Sequence, residues 1–149
     1  MSAGEYCNRE VVVAEPGTPV LEAAKLMRQH HVGTLVIVDS PANGAKPVGI
    51  ITDRDIVIEV VAAEAEVGSL TASDIMSREI KTVQEETKLM DAIATMRAKG
   101  VRRLPVTDAK GRLVGILSVD DVLELVAEQL EDLVKLISRE QRREQKLHD

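Results

Sequence analysis

The sequence repeats itself, and this duplication limits the folds that the chain can adopt. A shift of 69 positions lays the first half on the second, and after Asp39 the shift falls to 66. The change arises because the turn at residues 40–46 is three residues longer than its counterpart at 109–112, and duplicated units differ most readily in exposed turns. Matched pairs lie along the whole alignment: Arg9 and Arg78, Ala23 and Ala92, Met27 and Met96, Asp39 and Asp108. The chain is therefore one small unit written twice in tandem.

Each copy has the hydrophobic pattern of a β-α-β-β-α unit. In the first copy the apolar positions between strands fall at helical spacing: Val20, Ala23, Ala24, Met27 and His31 at the end. The predicted strands are residues 11–13, 35–38 and 48–51, then 80–83, 104–107 and 113–117. Asn43-Gly44 and Lys110-Gly111 predict hairpin turns, while Gly33 and Gly100 fall where a helix end needs positive φ.

This pattern predicts an α+β fold in which two repeats pack together. The predicted divisions are a first repeat at residues 6–63, a linker at 64–72, a second repeat at 73–130 and a helical extension at 131–149. A unit of about fifty residues buries little surface alone. We therefore expect the two copies to pack sheet to sheet and to share one core.

The last helix is predicted to run from Asp120 to about Lys146, because this stretch has no Pro or Gly. Its apolar stripe consists of Val122, Val126, Leu130, Leu133 and Ile137. One interpretation is a docking or dimer-forming helix that overhangs the domain. The other is a helix that covers its own core and ends in a solvated tail.

Composition excludes several classes of function. The net charge is −6 and aromatic residues make up 1% of the chain, which is opposed to nucleic-acid binding. The apolar runs are too short to span a bilayer, and residues 1–10 lack the apolar stretch of a secretory signal, so no membrane association is expected. The one cysteine, Cys7, suits a reducing cytoplasm. No nucleophile with a neighbouring base and no metal-ligand spacing is present, so we expect no enzyme and no metal site.

A repeated motif follows the last strand of each copy: Thr52 and Asp55 in the first, Ser118 and Asp121 in the second. A hydroxyl followed by a carboxylate three residues later predicts a capping box at the start of a helix. The same geometry suits a ligand, because free N–H groups attract an anion and the carboxylate accepts hydrogen bonds from ribose hydroxyls. The spacing alone leaves both interpretations open.

The motifs in combination resemble the cystathionine-β-synthase (CBS) domain family, of which a tandem pair is called a Bateman module. The features that carry the resemblance are the duplication, AxxxM in both first helices, RxLPVxD at residues 102–108 and the repeated Gly-x-x-[ST]-x-x-Asp. The resemblance implies a pair of clefts that bind AMP, ADP or ATP, with NAD or S-adenosylmethionine as further candidates. It also implies a homodimer that signals to an effector protein, with no resident cofactor.

Carried over by position, the resemblance assigns roles to residues of both copies. Asp55 and Asp121 would hold the ribose hydroxyls, with Thr52 and Ser118 at the ribose-phosphate. The segments that lead into each copy would face the adenine, through Asn8 and Val11 in one copy and Ser77 and Ile80 in the other.

The copies differ at positions that matter for an anion. The second has Arg102-Arg103 where the first has Gly33-Thr34, and paired guanidiniums suit phosphate. The first has Arg54 within its motif, and Tyr6-Cys7 where the second has Ile75-Met76. We therefore predict that the better nucleotide site combines Ser118 and Asp121 with the two arginines. The function predicted is an adenine-nucleotide sensor; the alternative is an interaction or dimerisation module with vestigial clefts.

Overall fold

The computed structural model describes residues 1–40 and 44–148, so Asn43 of the predicted turn and Asp149 of the predicted extension lie outside it. A short helix, α1 (Ala3–Tyr6), comes first. The first copy then contains β1 (Val13–Ala14), α2 (Val20–His30), β2 (Thr34–Val38), β3 (Pro47–Thr52) and α3 (Asp53–Ile56), which continues as a π-helical segment, Val57–Val61. A 3-10 turn at Val67–Ser69 lies in the linker.

The second copy repeats this order, which confirms the predicted α+β fold of two repeats. It contains α4 (Ala72–Ile75), β4 (Val83–Gln84), α5 (Leu89–Lys99), β5 (Arg103–Thr107), β6 (Leu113–Ser118) and α6 (Val119–His148). Each copy forms a three-stranded sheet in which the first strand is parallel to the second and the third is antiparallel. Even the irregularity in register recurs, at Ile37/Val38 and at Val106/Thr107.

Some local predictions were wrong. The first strands are only two residues long, because Val11 and Ile80 line clefts instead of pairing in a sheet. The left-handed residue after α2 is the exposed His31, with φ 54°, whereas Gly100 takes that conformation after α5. Gly33 is required by close packing and not by its φ angle, because a methyl group there would lie 2.8 Å from Asp53 Oδ2.

Each copy begins with a segment before its first strand, at residues 1–12 and 71–82, which we call its leading segment. The leading segment of each copy packs on the other copy. Asn8 exchanges two backbone hydrogen bonds with Ile116 of β6, at 2.8 and 2.9 Å. Ser77 makes the equivalent pair with Ile50 of β3, at 2.9 and 3.1 Å. Asn8 therefore adds one bridge to the outer strand of the second copy's sheet, and Ser77 adds one to the outer strand of the first copy's sheet.

The apolar interior consists of two clusters, not the one shared core that we expected. The first copy's cluster contains Leu35, Ile37 and Ile51, and it is completed by Ala72 and Met76 from the start of the second copy. The second copy's cluster is built in the same way: Val83, Leu89, Ala92, Met96, Leu104, Val106, Leu117 and Val122, with Ala3 from the start of the chain. Each core thus needs residues from both halves.

Helix α6 begins on the second core, where Val122 is buried, and then leaves it. From Val126 to His148 every residue is exposed, which confirms the long helix. None of the helices within residues 1–40 and 44–148 is long and apolar enough to cross a membrane.

Candidate functional site

Two clefts lie between the copies, and each takes its walls from both. The larger, which we call the Asp55 cleft, has a volume of about 410 Å³. The first copy contributes Thr52, Arg54 and Asp55 from the end of β3 and the start of α3. The second contributes its leading segment and the turn before β5, through Ser77, Glu79, Ile80, Lys81, Arg102 and Arg103. A volume of this size suits a small ligand.

The second, which we call the Asp121 cleft, has a volume of about 320 Å³. Here the second copy contributes Ser118, Asp120 and Asp121 from the end of β6 and the start of α6. The first copy contributes Asn8, Glu10, Val11, His31, Gly33 and Thr34. The motif of each copy therefore faces the leading segment of the other copy.

Thr34 and Arg103 line both clefts. They begin β2 and β5 and stand opposite Thr52 and Ser118 in the sheet registers, so each lies at the junction of the two clefts. Thr34 Oγ1 is the only buried side-chain oxygen or nitrogen without a hydrogen-bond partner in the described chain. An unpaired buried hydroxyl is costly, and a polar ligand in either cleft would supply its partner.

The two motifs differ in how completely they cap their helices. In the first copy Asp55 N–H donates to Thr52 Oγ1 at 3.2 Å, and Thr52 N–H donates to Asp55 Oδ2 at 2.8 Å, which closes a capping box. In the second, Asp121 N–H donates to Ser118 Oγ at 3.2 Å, and the described contacts include no bond from Ser118 N–H to the carboxylate. The capping interpretation is thus correct for the first motif, and one carboxylate oxygen of Asp55 stays outside the box.

Charge separates the clefts clearly. The Asp55 cleft is lined by four basic side chains, Arg54, Lys81, Arg102 and Arg103, against two acidic ones, Asp55 and Glu79. The Asp121 cleft is lined by three acidic side chains, Glu10, Asp120 and Asp121, against His31 and the shared Arg103. Phosphate groups are therefore favoured in the Asp55 cleft and opposed in the Asp121 cleft.

This distribution corrects the grouping expected from the sequence. Arg102 lines the Asp55 cleft and not the cleft of Ser118 and Asp121; only an exposed 3.4 Å ion pair links it to Asp120, at the rim of the other cleft. The reason is that the turn before β5 faces the motif of the other copy.

The divergent segment Tyr6-Cys7 also lies beside a different cleft from the one that the sequence suggested. Cys7 lies against Gly115 of the second copy, where a methyl group would meet its sulfur at 2.5 Å, so Tyr6-Cys7 belongs beside the Asp121 cleft. Burial raises the pKa of the Cys7 thiol, a change that Arg9 opposes. The arginine pair and the Tyr6-Cys7 segment are the two differences from which the sequence predicts that the Asp121 cleft is the better nucleotide site. Their positions in the structure favour the Asp55 cleft instead.

All eleven residues singled out from the sequence line one cleft or the other: Asn8, Val11, Thr52, Arg54, Asp55, Ser77, Ile80, Arg102, Arg103, Ser118 and Asp121. Sequence reasoning missed Lys81 and Thr34. The sequence does contain a sign of Lys81, because the repeat aligns this charged residue with the apolar Val12. The described residues contain no cluster of three or more His, Cys, Asp or Glu side chains that would hold a metal ion.

Comparison with known proteins identifies the family. The sequence profile of the CBS domain matches residues 3–62 and 72–128. An uncharacterised protein of Methanopyrus kandleri is 39% identical over 125 residues, which are 84% of this chain and 62% of that protein. The chain thus spans less than two thirds of the length of this relative.

Solved structures share the fold. The CBS domain pair of protein MJ0100, crystallised with 5′-methylthioadenosine and S-adenosyl-L-methionine, has a TM-score of 0.75 and 28% identity, over 87% of this chain and 98% of that one. A hexameric CBS-CP12 protein from bloom-forming cyanobacteria has a TM-score of 0.71 and 29% identity, over 83% of this chain and 69% of that one.

Proposed function

Since the chain belongs to the CBS domain family as a tandem pair, we propose that it is a non-catalytic regulatory module that binds an adenine nucleotide in the Asp55 cleft. The observation that carries the proposal is the convergence of Arg54, Lys81, Arg102 and Arg103 beside Thr52 and Asp55. The ligand would be AMP, ADP or ATP, with its phosphates on the basic side chains and its ribose on Asp55. The phosphates and the ribose would both be held by charge-assisted hydrogen bonds to these side chains.

Regulation follows from the position of the cleft between the copies. A nucleotide that contacts Asp55 of the first copy and Arg102 of the second stabilises the arrangement in which both reach it. Its differential affinity for that arrangement shifts the population of the module. An effector protein that contacts both copies would sense the shift. We place this activity in the cytoplasm, where adenine nucleotides are abundant.

Calorimetric titration with AMP, ADP, ATP and adenosine tests the proposal. We expect at least one nucleotide to bind more tightly than adenosine, and Arg102→Ala to weaken that nucleotide about 10- to 100-fold, since a charge-assisted hydrogen bond contributes about 1.5–3 kcal/mol. Lys110→Ala, in the exposed β5–β6 turn, is the matched control and should bind normally. If no nucleotide binds at millimolar concentration, the sensor proposal fails and the interaction module with vestigial clefts takes its place.

The Asp121 cleft supports a second candidate function. Its three carboxylates oppose phosphate but accept hydrogen bonds from ribose and attract a cation. We propose that it binds an adenosyl compound without phosphate, of the kind found with the CBS pair of MJ0100. Titration with S-adenosylmethionine checks this: Asp121→Ala should abolish binding, whereas Arg102→Ala should leave it intact.

A further inference from the structure

Thr34 and Arg103 occupy equivalent positions in the two copies, because the repeat offset of 69 places one on the other. Each begins the middle strand of its sheet, β2 or β5, and each lines both clefts. The clefts therefore meet at a junction whose walls are a hydroxyl from one copy and a guanidinium from the other. A side chain that lines two cavities can respond to a ligand in either one.

No bond within the protein fixes the Arg103 side chain at this junction. It is half-buried, and within residues 1–40 and 44–148 its guanidinium makes no hydrogen bond or ion pair. Its neighbour Arg102 differs, because it lines only the Asp55 cleft and pairs with Asp120 at 3.4 Å. A long side chain without a fixed partner can direct its charge into either cleft.

The charge of Arg103 has opposite consequences in the two clefts. In the Asp55 cleft it adds to three other basic side chains and favours phosphate. In the Asp121 cleft it is the only Lys or Arg among the described lining residues, and it stands against Glu10, Asp120 and Asp121. When a phosphate draws the guanidinium into the Asp55 cleft, these three carboxylates lose their compensating charge. A cation in the Asp121 cleft is then attracted more strongly.

We propose that Arg103 couples the two clefts, so that an anionic nucleotide in the Asp55 cleft tightens the binding of a cationic adenosyl ligand in the Asp121 cleft. The inference rests on the two proposed binding functions and adds the coupling between them. The element with two states is the guanidinium itself, whose position both ligands bias. Linkage makes the effect reciprocal, so the cationic ligand tightens the nucleotide by the same factor.

Thr34 supplies an independent sign that the junction accepts polar ligands. Its Oγ1 atom is buried and has no hydrogen-bond partner in the part of the chain that the structure describes. A hydroxyl in this state favours a ligand that brings a donor or an acceptor to it. Both residues of the junction thus lack a protein partner for their polar atoms, and both line the two clefts.

The ion pair between Arg102 and Asp120 is a second link between the clefts, and a weaker one. A phosphate that engages Arg102 in the Asp55 cleft releases the Asp120 carboxylate, which lines the Asp121 cleft. The two side chains are 71% and 64% exposed, however, and so exposed a pair contributes little. Arg103 therefore carries most of the coupling.

Calorimetric titration of S-adenosylmethionine tests the coupling, first with the chain alone and then with the chain saturated by the tightest of AMP, ADP and ATP. We expect the nucleotide to tighten S-adenosylmethionine about fivefold or more, which is the lower end of the range usual for coupled sites. 5′-Methylthioadenosine is the matched control ligand, because it has the adenosyl group without the positive charge, and its affinity should change less than about twofold. A nucleotide that leaves the affinity for S-adenosylmethionine unchanged, or weakens it, would overturn the proposal.

Variants at position 103 assign the effect to this side chain. Arg103→Met removes the charge, so S-adenosylmethionine should bind the free chain more tightly and the nucleotide should alter its affinity less than about twofold. Arg103→Lys keeps a mobile charge and should keep most of the coupling. Lys81→Ala is the matched control, because Lys81 lines only the Asp55 cleft; it should weaken the nucleotide and leave the coupling factor intact. A coupling factor as large in Arg103→Met as in the unmodified chain would contradict the role of Arg103.

The titrations with a single ligand separate this inference from the functions on which it rests. If either ligand fails to bind the unmodified chain on its own at millimolar concentration, the corresponding proposed function fails and the coupling fails with it. If both ligands bind and neither changes the affinity for the other, the proposed functions stand and the coupling alone fails.

Discussion

Asp55 combines a structural contact with a proposed binding role, and Asp74 allows the two to be separated. Both carboxylates close a capping box with an N-cap threonine, each accepting a backbone hydrogen bond at 2.8 Å. Only Asp55 lines the cleft with Arg102. The same cap therefore occurs once beside the proposed ligand and once away from it.

Replacing each of these aspartates by alanine should separate the cap from the ligand contact. Asp55→Ala and Asp74→Ala should each cost about 1 kcal/mol of unfolding free energy, the usual value of a helix cap. Asp55→Ala should in addition weaken nucleotide binding at least about tenfold, whereas Asp74→Ala should bind normally. Urea unfolding and calorimetric titration measure the two effects, and an equal loss of binding in both variants would mean that Asp55 acts through stability alone.

Asp108 gives the β5–β6 turn a dependence on pH. A hydrogen bond from the Arg112 backbone N–H, with others from its guanidinium and from Lys110 N–H, lowers the pKa of the Asp108 carboxyl. A lowered pKa in the folded state stabilises the fold above the unfolded-state pKa of about 3.9, and this stabilisation is lost as the pH falls through the folded-state pKa. The urea midpoint of Asp108→Asn should thus lie below that of the unmodified chain at pH 7, and the gap should narrow below about pH 4. A gap that stays constant between pH 7 and pH 3 would show that the charge of Asp108 is irrelevant.

At the scale of the element, two glycines allow each leading segment to reach the other copy's sheet. A methyl group on Gly115 of β6 would lie 2.5 Å from Cys7 Sγ and 2.9 Å from the Asn8 carbonyl oxygen. A methyl group on Gly49 of β3 would lie 2.6 Å from Met76 Sδ and 3.1 Å from the Ser77 carbonyl oxygen. The glycine in the repeated motif is thus required by close packing of another segment.

Gly115→Ala should destabilise the protein by about 1–3 kcal/mol, because the contact with Asn8 is to backbone and must shift. It should also weaken binding in the Asp121 cleft, which Asn8 lines, and spare the Asp55 cleft. Gly68→Ala is the control, since nothing lies within 4 Å of a methyl group there. Thermal unfolding and titration measure both effects, and a Gly115→Ala variant as stable as Gly68→Ala would contradict the tight contact.

At the scale of the whole molecule, the crossed leading segments make the two copies interdependent. The first core contains Leu35 and Ile51 but is closed by Ala72 and Met76, which come after the linker. Cleavage of the chain in the linker therefore separates the first copy from two residues of its own core.

Two fragments test this interdependence. A fragment of residues 9–77 retains Ala72 and Met76, whereas one of residues 9–69 loses them, which should cost about 2–5 kcal/mol through the emptied core. The stability of domains of this size is marginal, so a loss of that magnitude would largely unfold the shorter fragment. We therefore expect circular dichroism and hydrogen exchange to show that the longer fragment is more folded. Equal protection in the two fragments would mean that the crossing adds nothing to the first core.

The resemblance to the CBS domain family assigned most of the eleven residues that line the clefts. Patterns within the sequence alone predict the repeating unit, the antiparallel hairpins, the long last helix and the repeated cap motif. These depend on local spacing: period 3.6 or 2 for the elements, and three residues between hydroxyl and carboxylate for the cap. Local spacing also placed Asp55 and Asp121 correctly at helix starts.

Which of these residues meet depends on long-range contacts that appear only in the folded chain. The leading segments cross, as Asn8 pairs with Ile116 and Ser77 with Ile50, and this moves Arg102 from the expected Asp121 cleft to the Asp55 cleft. The leading segment of each copy could pair with the sheet of its own copy or with that of the other, and the repeat pattern is the same in both cases. The choice depends on long-range packing, through the close approach of Cys7 to Gly115 and Met76 to Gly49, which no periodicity in the chain encodes.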